Sequence, residues 1–479
     1  MTYPIRNLIG GEWLDGNGDE ASSENPSDLT EVIGRFRHAQ ADLVEQAIAA
    51  ACAAQPAWGE STPQQRFDAL DRIGTELLAR KEELGLLLAR EEGKTLPEAI
   101  GETARAGQIF KYFAGEALRI PGQKLASTRP GVEVDITREA VGVVGAIAPW
   151  NFPLAIPAWK TAPALAYGNA VVLKPAEIVG ACGTALADVI HRSGLPAGVF
   201  NLIIGRGSTV GAALAGDVRV NAISFTGSVP TGAAVMRSVT ARGGKIQLEM
   251  GGKNPLVVLA DADIDIAVDC AVQGAFFSTG QRCTASSRLI VESAIYDTFV
   301  ARVIARLKSL KVGNAVVPGI DIGPVVSLTQ LEQDLQYLEI GRAEGARLLH
   351  GGARLSLDKQ GHYMQPALLA AEPQHRVARE EIFGPVATVI RAEGYEQALA
   401  LANDTAFGLC AGICTTSLKH ATHFKRHAQA GMVMVNLPTA GVDPHVPFGG
   451  SKASSYGPRE QGSHAVEFYT TVKTAYTRA

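Results

Sequence analysis

From Val141 onward the chain alternates short apolar runs with helical stretches: VGVVGAIAP, NAVVLKPA, GVFNLIIG and VNAISFTG each precede a segment of helical spacing. Runs apolar on both faces are the mark of buried parallel strands, and parallel neighbours need crossover helices. This rhythm constrains the chain most, because it demands an α/β fold with helices covering both faces of a sheet. A second α/β block begins near Gly251, with PLVVLAD, SRLIVES and VATVIRA as its strands. Upstream, residues 41–118 read as helices, since LVEQAIAAACAA and RFDALDRIGTELLARKEELGLLLAREEG carry apolar residues at helical spacing.

Residues 119–140 change character: VEVDITRE alternates apolar and polar side chains, as a half-exposed strand does. The tail from about Ser463, HAVEFYTTVKTAYT, alternates again. The two segments could form a small protruding sheet whose open edges invite a partner subunit; a tail packed on its own domain is the alternative. The length, 479 residues, agrees with roughly three units. The expected division is 1–118 with 141–250, then 251–435, then an arm made from 119–140 and 460–479.

Composition removes several function classes. With 46% hydrophobic and 19% charged residues, large cores are expected rather than disorder. The 51 glycines show no Gly-X-Y period, which excludes collagen and implies tight turns. Charges of 44 against 48 leave a net −4 without a basic block, so nothing argues for nucleic acid. No run approaches 18 apolar residues, and MTYPIRNLIGGEW lacks the pattern of a signal peptide, so no membrane is expected. Six cysteines without a CxxC pair argue against disulfides or a structural metal, and place the chain in a reducing cytoplasm.

The chemistry-bearing residues sit at the ends of the apolar runs. GRGSTVG (Gly205–Gly211, with Gly207 inside) follows NLII, and FTGS (Phe225, Gly227, Ser228) follows AIS. Turns of this kind let backbone N–H groups approach a phosphate. Each alone is equally an ordinary strand–helix connection; two in one block favour a nucleotide. LKPAE places Lys174 and Glu177 at a strand end, where α/β sheets hold ligands. GQRCT presents Cys283 among polar neighbours, unlike the other five cysteines. LEMGGKNP offers Glu249 as a desolvated general base, and PWNFP offers the Asn151 amide as an oxyanion donor. Nucleophile, base and oxyanion donor are the parts of acyl-transfer chemistry.

Taken in order, PWNFP, KPAE, FTGS, LEMGGKNP, GQRC, EEIFGP and PFGGSK resemble the NAD(P)-dependent aldehyde dehydrogenase superfamily over nearly the whole chain. The resemblance implies a Rossmann-type cofactor domain, an α/β catalytic domain and a small oligomerisation sheet, assembled as a homodimer or homotetramer. It implies that Cys283 attacks a small-molecule aldehyde, Asn151 holds the oxyanion, Glu249 activates water and Lys160 lies near the proton path. Trp150, Lys174, Glu177, Gly207, Phe225, Gly227 and Ser228 match cofactor contacts, and Glu381 and Phe383 match residues that position the nicotinamide ribose and ring. Glu177 favours NAD, with NADP as a second acceptor. KPAE is followed by Ile178, Val179 and Gly180, where the family often has Ser or Thr and Pro, which leaves that loop's course open.

For the substrate, Arg282 could pair with a distal carboxylate, or could serve a structural salt bridge. The run NLPTAGVDPHVPFGGSKASSYGPREQG is similar to the 2-oxoglutarate semialdehyde (2,5-dioxopentanoate) dehydrogenase branch. That likeness puts His445 and Phe448 at the substrate entrance, with a surface-loop position as the equal alternative for His445; Phe152, Trp159 and Phe448 could line an apolar funnel, or be simple packing residues. Succinate semialdehyde and aromatic aldehydes are the alternatives. A CoA-acylating relative would lose the hydrolytic acid, and an inert binding protein would lose Cys283, Glu249 or Asn151.

Overall fold

The computed structural model describes residues 2–478; Met1 and Ala479, the outermost residues of the expected units, lie outside it. Four helices open the helical half: α1 (Ala41–Gly59), α2 (Pro63–Ala79), α3 (Lys81–Glu92) and α4 (Leu96–Ala117). Both α2 and α4 begin with a capping box, Thr62 with Gln65 and Thr95 with Glu98, which satisfies otherwise orphaned amides. Before them stands a hairpin of Glu20–Asn25 and Asp28–Arg37, absent from the sequence reading because its pattern is largely polar.

Four helices cover an eight-stranded sheet: α5 (Ala155–Ala166), α6 (Gly180–Arg192), α7 (Ala212–Gly216) and α8 (Val229–Ala241). Its centre is parallel, in the order 200–202, 170–174, 143–147, 222–226, 245–249. Antiparallel strands close both edges, Asn7–Ile9 followed by Glu12–Leu14 on one and Ser455–Tyr456 on the other. Alternate residues of one strand enter different cores: Val171 and Leu173 pack with α2 and α4, while Ala170 and Val172 pack with α1. This explains strands that read as unbroken apolar runs.

The second sheet has seven strands, all between Arg347 or Pro255 and Val435 in a mixed order, with Pro255–Val258 and Arg288–Glu292 paired in parallel at its middle. Here too Leu289 and Val291 face one apolar layer and Ile290 the other. A third sheet joins Thr470–Arg478 to Val132–Ala140 in continuous antiparallel register, with Gln123–Ala126 outside. Helix α9 (Ile264–Phe276) leads from the second sheet into the Cys283 loop. Between them Ser278, Thr279 and Gly280 all take left-handed backbone angles, φ 51°, 56° and 66°. Gly280 is required twice over, since a Cβ there would stand 2.2 Å from the Gly384 carbonyl oxygen.

Candidate active site

The carboxyl ends of the first sheet's strands open onto a cleft of about 800 Å³. Trp150, Lys174, Glu177, Gly207, Phe225, Gly227 and Ser228 all line it, gathered from four successive strand–helix turns. Gly207 and Gly211 leave open space, and a Cβ at Gly227 would collide with the Phe225 ring at 2.6 Å. Ser228 stands at the start of the 13-residue α8 without capping its amides; its Oγ pairs with Thr231 Oγ1 at 2.9 Å. Uncapped amides and close backbone suit a pyrophosphate, and the cleft is large enough for a dinucleotide. Gly205 faces Ala39 instead, outside the cleft.

Cys283 opens onto a second, smaller cavity of about 300 Å³. Three consecutive residues join the two spaces: Trp150 lines the cleft, Phe152 lines the cavity, and Asn151 is buried between them. Asn151 Nδ2 donates to the Gln281 carbonyl at 2.9 Å, which holds the amide beside the Cys283 loop with a second N–H in reserve. Asn254 fixes the same loop by donating to the Cys283 carbonyl at 2.7 Å, while its Oδ1 accepts from Cys410 N–H at 2.9 Å.

Glu249 ends strand Lys245–Glu249, buried, with Oε2 accepting from Ser455 Oγ at 2.6 Å. Behind it lies a buried polar group: Lys160 Nζ donates to Ser224 Oγ at 2.8 Å and to Glu460. Glu381 lies under the turn after Glu249, accepting from Gly252 N–H at 2.8 Å, so closely that any Cβ at Gly251 would overlap it. Phe383, at φ 68°, meets Trp150 edge-on with centroids 5.5 Å apart. Glu381 and Phe383 do not line the cleft walls; Phe383 reaches them through Trp150.

The family model described as "Aldehyde dehydrogenase family" matches residues 13–475. The chain belongs to the aldehyde dehydrogenase family. It is 44% identical over 476 residues to an alpha-ketoglutaric semialdehyde dehydrogenase of Bacillus subtilis, covering 98% of each chain. It is 42% identical to an alpha-ketoglutarate semialdehyde dehydrogenase of Haloferax volcanii, over 99% of each. The solved structure of betaine aldehyde dehydrogenase from Staphylococcus aureus in complex with NAD+ superposes with a TM-score of 0.97 at 34% identity, over 99% of this chain and 95% of that one.

Within this aldehyde dehydrogenase, four of the five expected substrate residues line the Cys283 cavity: Phe152, Trp159, Arg282 and Phe448. Trp159 and Phe448 lie with ring centroids 5.3 Å apart. His445 is the exception: it is exposed on the 436–447 loop and does not reach the cavity, which that loop lines with Ala440, Gly441 and Val442 instead. Arg282 is already paired, its Nη2 donating to Glu98 at 3.0 Å and Ser278 Oγ at 2.7 Å. In the KPAEIVG loop, Ile178 belongs to a short helical turn, Glu177–Val179, that runs into α6.

Sequence reasoning missed the third wall. Glu98, Gly101, Glu102 and Arg105, spaced i, i+3, i+4 and i+7, put one face of α4 against the cavity, with Lys94 just before it. A polar stripe at helical spacing inside an otherwise apolar helix is the signal that marks them. Lys94 Nζ donates to Glu102 at 2.6 Å and to the Asn151 carbonyl at 2.7 Å, so this wall also holds Asn151 in place.

Burial pushes the Cys283 thiol up to about 12, helped by the negative charges of Glu249 and Glu381. Burial likewise lifts Glu249 well above the usual carboxylate range, reinforced by Glu460 and opposed by Ser455 and Lys160. Glu381 is raised to about 7, by burial. A thiol so placed is protonated at neutral pH, and only its thiolate is nucleophilic. Alkylation of Cys283 by iodoacetamide in the cofactor-free enzyme is therefore expected to accelerate about tenfold per pH unit from 7 to 10, followed by peptide mass spectrometry. A plateau already reached near pH 8 would contradict the raised thiol.

Proposed function

We propose that the enzyme oxidises 2-oxoglutarate semialdehyde to 2-oxoglutarate, with NAD as acceptor. The observation that carries this reading is the Cys283 cavity itself, walled by aromatic rings and by Lys94, Arg105 and Arg282 beside a dinucleotide-sized cleft. Glu98 and Glu102 share that wall and pair with Arg282 and Lys94, and the remaining guanidinium, Arg105, suits an aldehyde that carries a carboxylate. The likeness to two alpha-ketoglutarate semialdehyde dehydrogenases supports the same substrate.

In this reading Cys283 gives its S–H proton to the Glu249 carboxylate, which releases it to solvent before the next step, as Sγ attacks the aldehyde carbon, and the free Asn151 N–H and the Cys283 backbone N–H receive the oxyanion. Trp150, Lys174, Gly207, Phe225, Gly227 and Ser228 would hold the dinucleotide, with Glu381 and Phe383 at its nicotinamide end. Bound there, NAD supplies the hydride acceptor. Glu249, kept proton-seeking by burial, takes a proton from water as that water attacks the Cys283 thioester, and the carboxylate leaves. Lys160 and Glu460, whose charges bear on Glu249, pass that proton onward. Glu177 lies on the cleft wall, where its carboxylate would repel a 2′-phosphate, so NAD is preferred over NADP. The free thiols, Cys182, Cys270, Cys410 and Cys414 among them buried, suit a reducing cytoplasm.

The decisive comparison is kcat/KM for 2-oxoglutarate semialdehyde, succinate semialdehyde and benzaldehyde, each with NAD and NADP. The first substrate with NAD is expected to lead by about tenfold or more, a difference of about 1.4 kcal/mol. A lead for benzaldehyde would overturn the substrate reading, and a lead for NADP would overturn the role of Glu177.

The enzyme is also proposed to self-associate through its third sheet. The strand Thr470–Arg478 leaves Val472 and Tyr476 59% and 61% exposed, an uncovered apolar edge that favours strand or face pairing. Truncation after Thr471 is expected to give a monomer by light scattering; an unchanged assembly would refute this interface.

A further inference from the structure

We propose that Arg105, and not Arg282, is the residue that anchors the substrate's distal carboxylate. The inference rests on the reading that the Cys283 cavity takes an aldehyde acid, and it names the group that selects for it.

Three cations share the cavity wall, and two are already matched. Lys94 is bonded to Glu102 at 2.6 Å with Glu92 at 3.9 Å. Arg282 is bonded to Glu98 at 3.0 Å. Among the described residues no carboxylate oxygen lies within 4.0 Å of Arg105; Asp443 and Glu102 bear on its charge from farther away. Its one side-chain bond is a long one, Nη2 to Gln461 Oε1 at 3.3 Å, and its Nε has no acceptor. Of the wall's three cations, Lys94 and Arg282 each have a bonded carboxylate, and among the described residues Arg105 alone of them has none within 4.0 Å.

Gln461 adds an independent sign. It is fully buried, held at the left-handed angle φ 59°, and its Nε2 is a second donor without an acceptor. Buried donors left unsatisfied are costly, and residues kept in strained backbone conformations gather at binding sites. Gln461 does not line the cavity; it serves the site by accepting from Arg105 Nη2, and the guanidinium on the wall is the group that asks for an anion. A carboxylate docking on Arg282 would instead have to compete with Glu98 for a guanidinium already neutralised. The same unmatched charge would disfavour a cationic aldehyde, so Arg105 selects by repulsion as well as by attraction.

The test compares 2-oxoglutarate semialdehyde with pentanal, an uncharged aldehyde of equal chain length, in wild type, Arg105→Met and Arg105→Lys. Binding of 2-oxoglutarate to each protein by calorimetry provides a readout separate from turnover. In Arg105→Met the acid-to-pentanal ratio of kcat/KM is expected to fall about 100-fold, chiefly through KM for the acid, and 2-oxoglutarate binding to weaken in parallel. Arg105→Lys should recover part of both, as a charge without the fork geometry does. A variant that keeps the wild-type ratio overturns the anchor alone. A wild type that does not prefer the acid overturns the substrate reading, and the anchor with it.

Discussion

The active site depends on a single backbone event, the left-handed turn through Ser278, Thr279 and Gly280. Two non-glycine residues in this region cost about 1–3 kcal/mol each, and the surrounding contacts hold them there. Glu98 accepts from both the N–H and the hydroxyl of Ser278, at 2.8 and 3.0 Å. Thr279 Oγ1 donates to the Gly323 carbonyl at 3.2 Å. Gly280 presses against the Gly384 carbonyl. The turn reverses the chain after α9 and delivers Gln281, Arg282 and Cys283 to the seam between the two large sheets.

Because three separate segments grip this turn, the site's parts are mechanically joined. Glu98 belongs to α4, so the wall of the cavity and the nucleophile loop share one carboxylate. Gly384 follows Phe383, so the segment expected at the nicotinamide end touches the same turn. Asn151 is held from both sides, by the Gln281 carbonyl that accepts from its amide and by Lys94, which donates to its carbonyl. Charge is arranged with equal economy. Lys94 pairs with Glu102 and Arg282 with Glu98, which leaves the raised Cys283 thiol and the Arg105 guanidinium on the cavity wall.

Much of this was legible in the residues alone. Buried parallel strands announce themselves as apolar runs, and Val143–Ile147, Ala170–Lys174 and Ala222–Thr226 form where such runs occur. Residues 150, 151 and 249 come together because each follows or ends a strand at the carboxyl edge of the first sheet, whereas Cys283 arrives from the second block through the turn after α9. What stayed hidden depends on pairing across the chain. Arg282 lies 184 positions from Glu98, so no local pattern reveals that its charge is spent. His445 shares a loop with cavity residues but points outward. The α4 stripe of Glu98, Glu102 and Arg105 is visible as a polar face at helical spacing, but what that face looks onto depends on residues far along the chain. Ser455–Tyr456, which supports Glu249 from the sheet edge, is too short to register as a strand.

The central claim is that Cys283 carries the substrate as a thioester that Glu249 releases. The most direct measurement is intact-protein and peptide mass spectrometry of Glu249→Gln mixed with 2-oxoglutarate semialdehyde and NAD. The account predicts one equivalent of NADH in a burst, with the acyl group of 2-oxoglutarate left on the Cys283 peptide. Steady turnover without an adduct, or an adduct on another residue, would contradict it.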